Sequence, residues 1–267
     1  GGLHMRAAGA AIATISSQGI SFLTALWFLH RRGFSFPFTR HDIRLNGNLS
    51  RRVVFLGAPI ALQDALINIS FLIITIIVNQ MGVIASAALG VVEKIIVFAM
   101  LPPVAISSAV AAMTAQNYGA GLIPRMNQCL RSGIAMALVF GISVCVYSQF
   151  LPETLVRIFT DDESVVAMGA TYLRGYSIDC IIVSFVFCIN SYFSGQGNSW
   201  FPMIHSLIAT FFFRIPLSWA FSHIDPTTLF WMGYASPLST TVSLLICIGY
   251  LLWQRKKTQQ RQTILSK

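Results

Sequence analysis

At 267 residues, with 55% hydrophobic and only 10% charged residues and a mean hydropathy of +0.69, the chain has too much apolar surface for a water-soluble domain; such domains carry about 25% charged residues. The formal net charge is +9, but Lys and Arg fall in short runs between apolar segments, a pattern of loop anchors and not of a nucleic-acid groove. Five cysteines (Cys129, Cys145, Cys180, Cys188 and Cys247) lie almost entirely inside apolar segments with no CxxC pair, so they read as small free apolar side chains and not as a disulfide framework.

A bilayer-spanning helix needs about 20 predominantly apolar residues. Seven segments meet that length: Ala7–Leu29, Val53–Val78, Ile84–Met113, Ser132–Phe150, Val165–Tyr192, Trp200–Phe221 and Leu229–Trp253. They predict an all-α, polytopic membrane bundle of seven transmembrane helices. The chain starts at Gly1-Gly2 without an initiator Met and enters the first span by Ala7, so the start reads as a cut inside a longer protein. The one long linker is Gly33–Arg52, in which Phe34, Phe36, Pro37 and Phe38 precede a basic stretch. It reads either as a plain connector or as a segment on the cytoplasmic lipid surface, where aromatic rings insert and Arg meets anionic headgroups. It also divides the chain: residues 1–32 as the last helix of a first lobe, 33–52 as interlobe linker, 53–254 as a six-helix lobe and 255–267 as a basic tail.

Orientation follows the basic residues. The first loop carries Arg31, Arg32, Arg40, Arg44, Arg51 and Arg52, the third carries Arg125 and Arg131, and the tail carries Arg255, Lys256, Lys257, Arg261 and Lys267. These regions alternate onto one face, expected to be cytoplasmic. The fourth loop, with Glu153, Asp161, Asp162 and Glu163 against Arg157, belongs outside. The expected location is therefore the cytoplasmic membrane, multi-pass, with a cytoplasmic C-terminus.

Charges inside the spans carry the functional signal, because an ionised group in hydrocarbon is costly and is usually kept for transport or relay. At 1.5 Å per residue, Asp64 lies roughly 16 Å, Glu93 and Lys94 roughly 15 Å and Asp179 roughly 21 Å from the membrane faces. In a hydrocarbon core about 30 Å thick, all four fall near mid-depth although they come from three helices. Arg174 and Arg214 add two cations, making three acids against three bases. Glu93 and Lys94 are adjacent and diverge on a helix, so each is expected to pair with another helix. One reading is a structural charge network with Arg174 and Arg214 as its cations. The preferred one is an ion-coupling site built from Asp64, Asp179, Glu93, Lys94 and Asn68. Burial raises a carboxyl's proton affinity and a neighbouring Lys or Arg lowers it, so a balanced site can load and release H⁺. Na⁺ is the competing ion: Asn68 and Thr75 share a face with Asp64, and Tyr172 and Tyr176 share one with Asp179, but such polar stripes also serve helix packing.

Pro59, Pro102, Pro103, Pro216 and Pro237 interrupt spans, each removing a backbone donor. The Pro102-Pro103 pair is a candidate hinge. Asn117–Gly121 and Ser194–Asn198 read as tight cytoplasmic turns. The later spans are aromatic (Phe185, Phe187, Phe193, Trp219 and Trp231 among others), which suits packing and lipid contact more than a pocket for apolar cations. There is no HExxH, GxSxG or P-loop signature, and no GxGD-like loop accompanies Asp64 and Asp179 as a protease dyad would require. The chain thus reads as no enzyme and as holding no cofactor beyond a coupling ion, H⁺ or Na⁺.

Several stretches resemble one family. Gly57-Ala-Pro-Ile-Ala-Leu-Gln63 is similar to the start of the seventh helix of multidrug and toxic compound extrusion (MATE) transporters. Ala115-Gln-Asn-Tyr-Gly-Ala-Gly121 is similar to that family's "QNxGAG" turn after helix eight, Arg214-Ile-Pro216 to its "RxP" signature in helix eleven, and Gly9–Gln18 to the start of helix six. The resemblance runs from about Gly9 to Trp253. It implies twelve helices in two six-helix lobes around a cleft, of which this chain holds the sixth helix and the second lobe. It further implies H⁺ or Na⁺ antiport of drugs by rocking of the lobes, with organic cations, membrane lipids and the missing N-terminal lobe as partners and no nucleic acid. The family's second-lobe acids lie on its seventh and tenth helices; Asp64 and Asp179 lie on the matching spans, and Glu93-Lys94 resembles a charge pair seen in part of the family. The alternatives are a lipid-linked saccharide flippase of related architecture, which a cleft rich in Arg and Lys would favour, and a non-transporting membrane scaffold.

Overall fold

The structure is a computed structural model that describes residues 6–33 and 46–265. Among the described residues every regular element is helical. Two compact units are formed, Gly1–Ser50 and Arg51–Lys267. The linker segment with Phe34, Phe36, Pro37 and Phe38, read either as a plain connector or as a lipid-surface segment, lies outside the described residues.

In the first unit, α1 (Arg6–Arg32) ends in two adjacent cation–π pairs, each joining residues one turn apart, with Arg31 over Trp27 and Arg32 over Phe28, each at 5.0 Å from the ring centroid. Basic and aromatic side chains at a helix end suit a membrane–water boundary. Gly33 follows with φ 69°, and its N–H donates to the Leu29 carbonyl at 2.9 Å, closing the helix in a conformation that costs glycine little.

The second unit begins within the first turns of α2 (Gly47–Asn79), whose N-terminus is capped by Asn46 Oδ1 accepting from the Asn48 and Leu49 amides at 3.1 and 3.4 Å. It continues with α3 (Val83–Gly119), α4 (Ile123–Phe150), a short α5 (Pro152–Arg157), α6 (Glu163–Gly195), α7 (Trp200–Ile208), a π-helical segment (Ala209–Arg214), α8 (Ile215–Ile224) and α9 (Phe230–Leu265). With α7, the π segment and α8 forming one continuous stretch, seven helices among the described residues are long and apolar enough to cross a membrane, the number the sequence predicts. The acidic loop differs from expectation in holding α5, which is fastened to α6 by a two-pronged Arg157–Glu163 pair at 2.8 and 2.7 Å. Asp162 caps α6 by accepting from the Ser164 and Val165 amides at 2.9 and 3.4 Å. Between α8 and α9, Asp225 accepts from Thr227 and Thr228, and these bonds hold its carboxyl below the usual carboxylate range.

Helix α6 is the axle of the unit and packs on α3, α4, α5 and α9. Its partners sort into layers. One apolar cluster gathers Leu89 and Val92 of α3, Tyr172 of α6, and Leu229 and Met232 at the start of α9. A second gathers Val110 of α3, Leu130 and Ala137 of α4, Phe193 of α6 and Cys247 of α9. Between them, the same helices bury Ser107, Ser177, Asp179, Ser184, Ser236, Ser239 and Ser243. A polar belt is thus sandwiched between two apolar caps. The outer faces expose large apolar side chains such as Leu72, Phe98, Val139 and Leu245, as a lipid-facing helix would.

Close helix crossing depends on glycine. A Cβ on Gly233 of α9 would stand 2.6 Å from the Tyr172 carbonyl of α6, and one on Gly175 would meet the Gly233 backbone at 3.0 Å. Small residues let membrane helices approach where no hydrophobic force pulls them together. Gly249, on the same helix, has open space at its Cβ position. Gly233→Ala should therefore destabilise the protein by about 1–3 kcal/mol through overpacking, while Gly249→Ala leaves the melting temperature in detergent unchanged or slightly raised.

Candidate functional site

The polar belt is where charge enters the interior. Asp179 is 3% exposed, placed by α6 facing α9, and its Oδ2 accepts a hydrogen bond from Ser236 Oγ at 3.0 Å. Its other oxygen, Oδ1, is buried without a partner in hydrogen-bonding geometry, although Tyr176 and Thr240 flank the carboxylate. An orphaned acceptor in a dry interior costs about 1–3 kcal/mol, more when charged, and calls for something to fill it. Tyr172 and Tyr176 stack one turn apart on the same face, with ring centroids 6.1 Å apart.

Arg214 supplies the belt's cation. Pro216 lacks the amide that would bond four residues back, and the chain just before it widens into the π segment Ala209–Arg214, closed by the Ile215 amide donating to the Thr210 carbonyl five residues earlier. Ser239 Oγ of α9 donates to the Ala209 carbonyl at 2.7 Å and anchors the start of the segment. The result turns Arg214 inward, where it is 9% exposed, with its guanidinium 4.1 Å from the Phe71 ring centroid of α2. Its charge reaches both Glu93 and Asp179, yet it comes within 4 Å of neither carboxylate.

The structure therefore brings three of the six predicted charges together: Asp179, Glu93 (half-buried on α3) and Arg214. Asp64, Asn68, Lys94 and Arg174 are exposed. Asn68 spends its Nδ2 on the Asp64 backbone carbonyl at 2.8 Å, and the Arg174 carbonyl accepts from Gln149 Nε2 at 2.8 Å. Among the described residues the one ion pair is Arg157–Glu163, so no direct ion pair joins any of the six mid-span charges. Pro103 is buried and Pro102 half-buried in an α3 that runs unbroken through both.

The arrangement offers one buried carboxylate with an open coordination position, a second acid nearby and a cation held off by an aromatic ring. Such an arrangement can take up a proton on Oδ1, or a small cation for which Asp179, Tyr176 and Thr240 supply oxygens.

Comparison with known proteins decides the family. The MatE family model matches residues 59–220, more than half of the chain. The chain belongs to the MATE family. It is 24% identical over 256 residues to the probable multidrug resistance protein YoeA of Bacillus subtilis, covering 93% of this chain and 55% of that protein. It is 28% identical over 219 residues to the probable multidrug resistance protein YpnP of the same organism, covering 82% and 49%. A crystal structure of a MATE protein in the straight conformation superposes with a TM-score of 0.82 at 17% identity, covering 98% of this chain and 58% of that one, and so shares the fold. The chain spans about half the length of the curated relatives it matches.

The MATE-like stretches now have places. Gly57–Gln63 lies in the first half of α2, where Gln63 Nε2 donates to Ser206 Oγ of α7 at 3.2 Å. The "QNxGAG"-like stretch ends α3, with Gly121 turning at φ 70°. Arg214-Ile-Pro216 is the π-to-α junction that aims the belt's cation.

Sequence reasoning missed two features of the site. Phe71 looks like one more apolar residue among Leu72, Ile73 and Ile74, and no pattern marks it as the seat of a guanidinium. His205 is 1% exposed, with Nδ1 at 2.8 Å from Ser243 Oγ and Nε2 at 2.8 Å from Asn190 Oδ1. Cys247 Sγ approaches Nε2 at 3.3 Å. A histidine and an asparagine inside two apolar spans were the available signal. This cluster ties α6, α7 and α9 beside the second apolar cap. His205→Phe should keep the volume but strand Asn190 and Ser243, lowering stability by about 1–3 kcal/mol. His223→Phe, at an exposed position, should change it by less than about 0.5 kcal/mol; thermal melts in detergent compare the two.

Proposed function

We propose that this chain forms the ion-coupling lobe of an antiporter that exports organic cations across the cytoplasmic membrane, driven by H⁺ or Na⁺ and working by alternating access. The observation that carries this reading is Asp179: a carboxylate 3% exposed in a polar belt, with one oxygen bonded to Ser236 and the other open. Ionisable groups at such a depth mark ion pathways because nothing else repays their desolvation. Asp179 and Glu93 are the acids that load and release the coupling ion. Asp64, Asn68 and Lys94, on exposed positions, belong to the wall that a complementary N-terminal lobe closes into a cleft. With two acids against one buried cation in the belt, the pocket suits a positively charged cargo better than an anionic lipid-linked saccharide. The Pro102-Pro103 pair is where α3 bends as the lobe rocks, since both prolines withdraw backbone donors from mid-helix. The basic residues between the first two spans and those expected as a tail, which the structure includes in the C-terminal part of α9, support a cytoplasmic position for both.

The test is efflux of a cationic dye from cells making the complete transporter. Asp179→Asn and Glu93→Gln should each reduce gradient-driven efflux at least about tenfold, the scale of one lost charge interaction, at unchanged membrane abundance. Asp64→Asn should reduce it as well. Arg174→Gln, which removes an exposed charge away from the belt, should not. Dye efflux at the unmodified rate in both the Asp179 and Glu93 variants would remove the coupling assignment.

A further inference from the structure

Arg214 and Asp179 occupy one belt and leave each other alone, which is unusual chemistry. A guanidinium presents five N–H donors in a planar fork that fits a carboxylate two-pronged, and a buried Arg is ordinarily paired that way. Here Arg214 lies within the electrostatic reach of Asp179 and Glu93, but makes no ion pair with either and rests on the Phe71 ring at 4.1 Å. Asp179 Oδ1 stays without a partner. A cation on a ring and a carboxylate oxygen without a hydrogen-bond partner are two half-satisfied groups in the same polar belt.

We propose that Arg214 is a tethered cation that competes with the coupling ion for Asp179, resting on Phe71, the arrangement of this structure, when the carboxylate is neutral, and moving onto it when the carboxylate is ionised. The inference rests on Asp179 being the coupling carboxylate. An ionised Asp179 with no counter-charge would be a bare charge in a dry bundle. The guanidinium is the buried fixed cation whose charge acts on Asp179, and trading a cation–π contact for a charge-assisted two-pronged hydrogen bond would partner Oδ1. A proton or Na⁺ arriving at Oδ1 cancels the carboxylate's charge, removes the attraction and returns the guanidinium to the ring. Coupling ion and arginine thus exclude one another, and the lobe can reset without a bare buried carboxylate.

The surroundings leave few other candidates. The charged or titratable side chains whose fields reach Asp179 and its neighbours are Glu93 of α3, Tyr172, Tyr176 and Cys180 of α6, and Arg214 itself. From α9 come the hydroxyls of Ser236 and Thr240 and, packed at Gly175, Tyr234; α4 adds Cys145 behind Ser177, and α7 adds His205 on Ser243. Arg214 is the one fixed cation among them.

The experiment is the melting temperature of the purified protein in detergent against NaCl, with choline chloride holding ionic strength, and separately against pH in choline chloride. Na⁺ and H⁺ are the two probes, and each yields a half-saturating concentration. In Arg214→Gln the stabilising cation should bind about tenfold or more tightly, because a neighbouring charge moves a carboxyl's cation affinity by one to three decades. In Phe71→Leu, which keeps apolar volume but removes the ring, it should bind at least about threefold more weakly, because the freed guanidinium falls back on Asp179. Arg214→Lys, which keeps the charge, should stay nearer the unmodified protein than Arg214→Gln does. If Arg214→Gln does not fold, the Phe71→Leu arm decides by itself. A cation response lost in Asp179→Asn but unchanged in Arg214→Gln or Phe71→Leu overturns the arginine competition alone. A response that survives Asp179→Asn, or no response in the unmodified protein, overturns the coupling site beneath it.

Discussion

The cost of a carboxylate in a dry helix bundle organises this lobe. Asp179 cannot face lipid and is cut off from water, so the protein surrounds it with Ser236, Tyr176 and Thr240 and sets Arg214 within range of its charge. Each of those residues comes from a different point on α6, α9 or the π segment, so these elements must be held in one register for the belt to exist. The two apolar caps do that holding. They clamp the same helices above and below the belt, where packing is cheap, and leave the polar chemistry in the middle.

The register is tightened by contacts that allow no slack. Gly233 and Gly175 bring α9 against α6 backbone to backbone, and Gly141 does the same for α4 at the Cys180 carbonyl, which a Cβ would meet at 2.5 Å. The hydrogen bond from Ser184 Oγ to the Ala137 carbonyl at 3.2 Å crosses that same α4–α6 seam. Rigid crossings of this kind make α6 move as one body with its neighbours. The π segment is the contrasting element. It is a local departure from α geometry next to a proline, and it carries the one buried cation of the belt. A π-helical segment in an otherwise α-helical bundle frequently marks a functional position.

Family membership bounds what this geometry is for. The relatives' multidrug resistance names describe those proteins, and the chain spans about half of each. Asp64, Asn68 and Lys94 hold exposed positions on α2 and α3.

Much of this was legible in the amino-acid order. Seven runs of apolar residues set seven spans because backbone amides in lipid must bond within their own helix, and the glycine turns at Gly121 and Gly197, with φ 70° and 85°, stand where their sequences placed them. That charges sit near mid-depth follows from counting residues at 1.5 Å each. Counting gives depth but not rotation. Helices that are apolar on every side carry no stripe to say which way a residue faces, so Asp64, Glu93, Lys94 and Asp179 at similar depth read as members of one coupling site. Tertiary packing set the rotations. It turned Asp179 and Arg214 inward, left Asp64, Lys94 and Arg174 outward, seated a guanidinium on Phe71, and paired His205 with Asn190 and Ser243. The physical reason is that rotation about a helix axis is decided by close contacts between helices, such as Gly175 against Gly233, which join residues 58 positions apart in the chain.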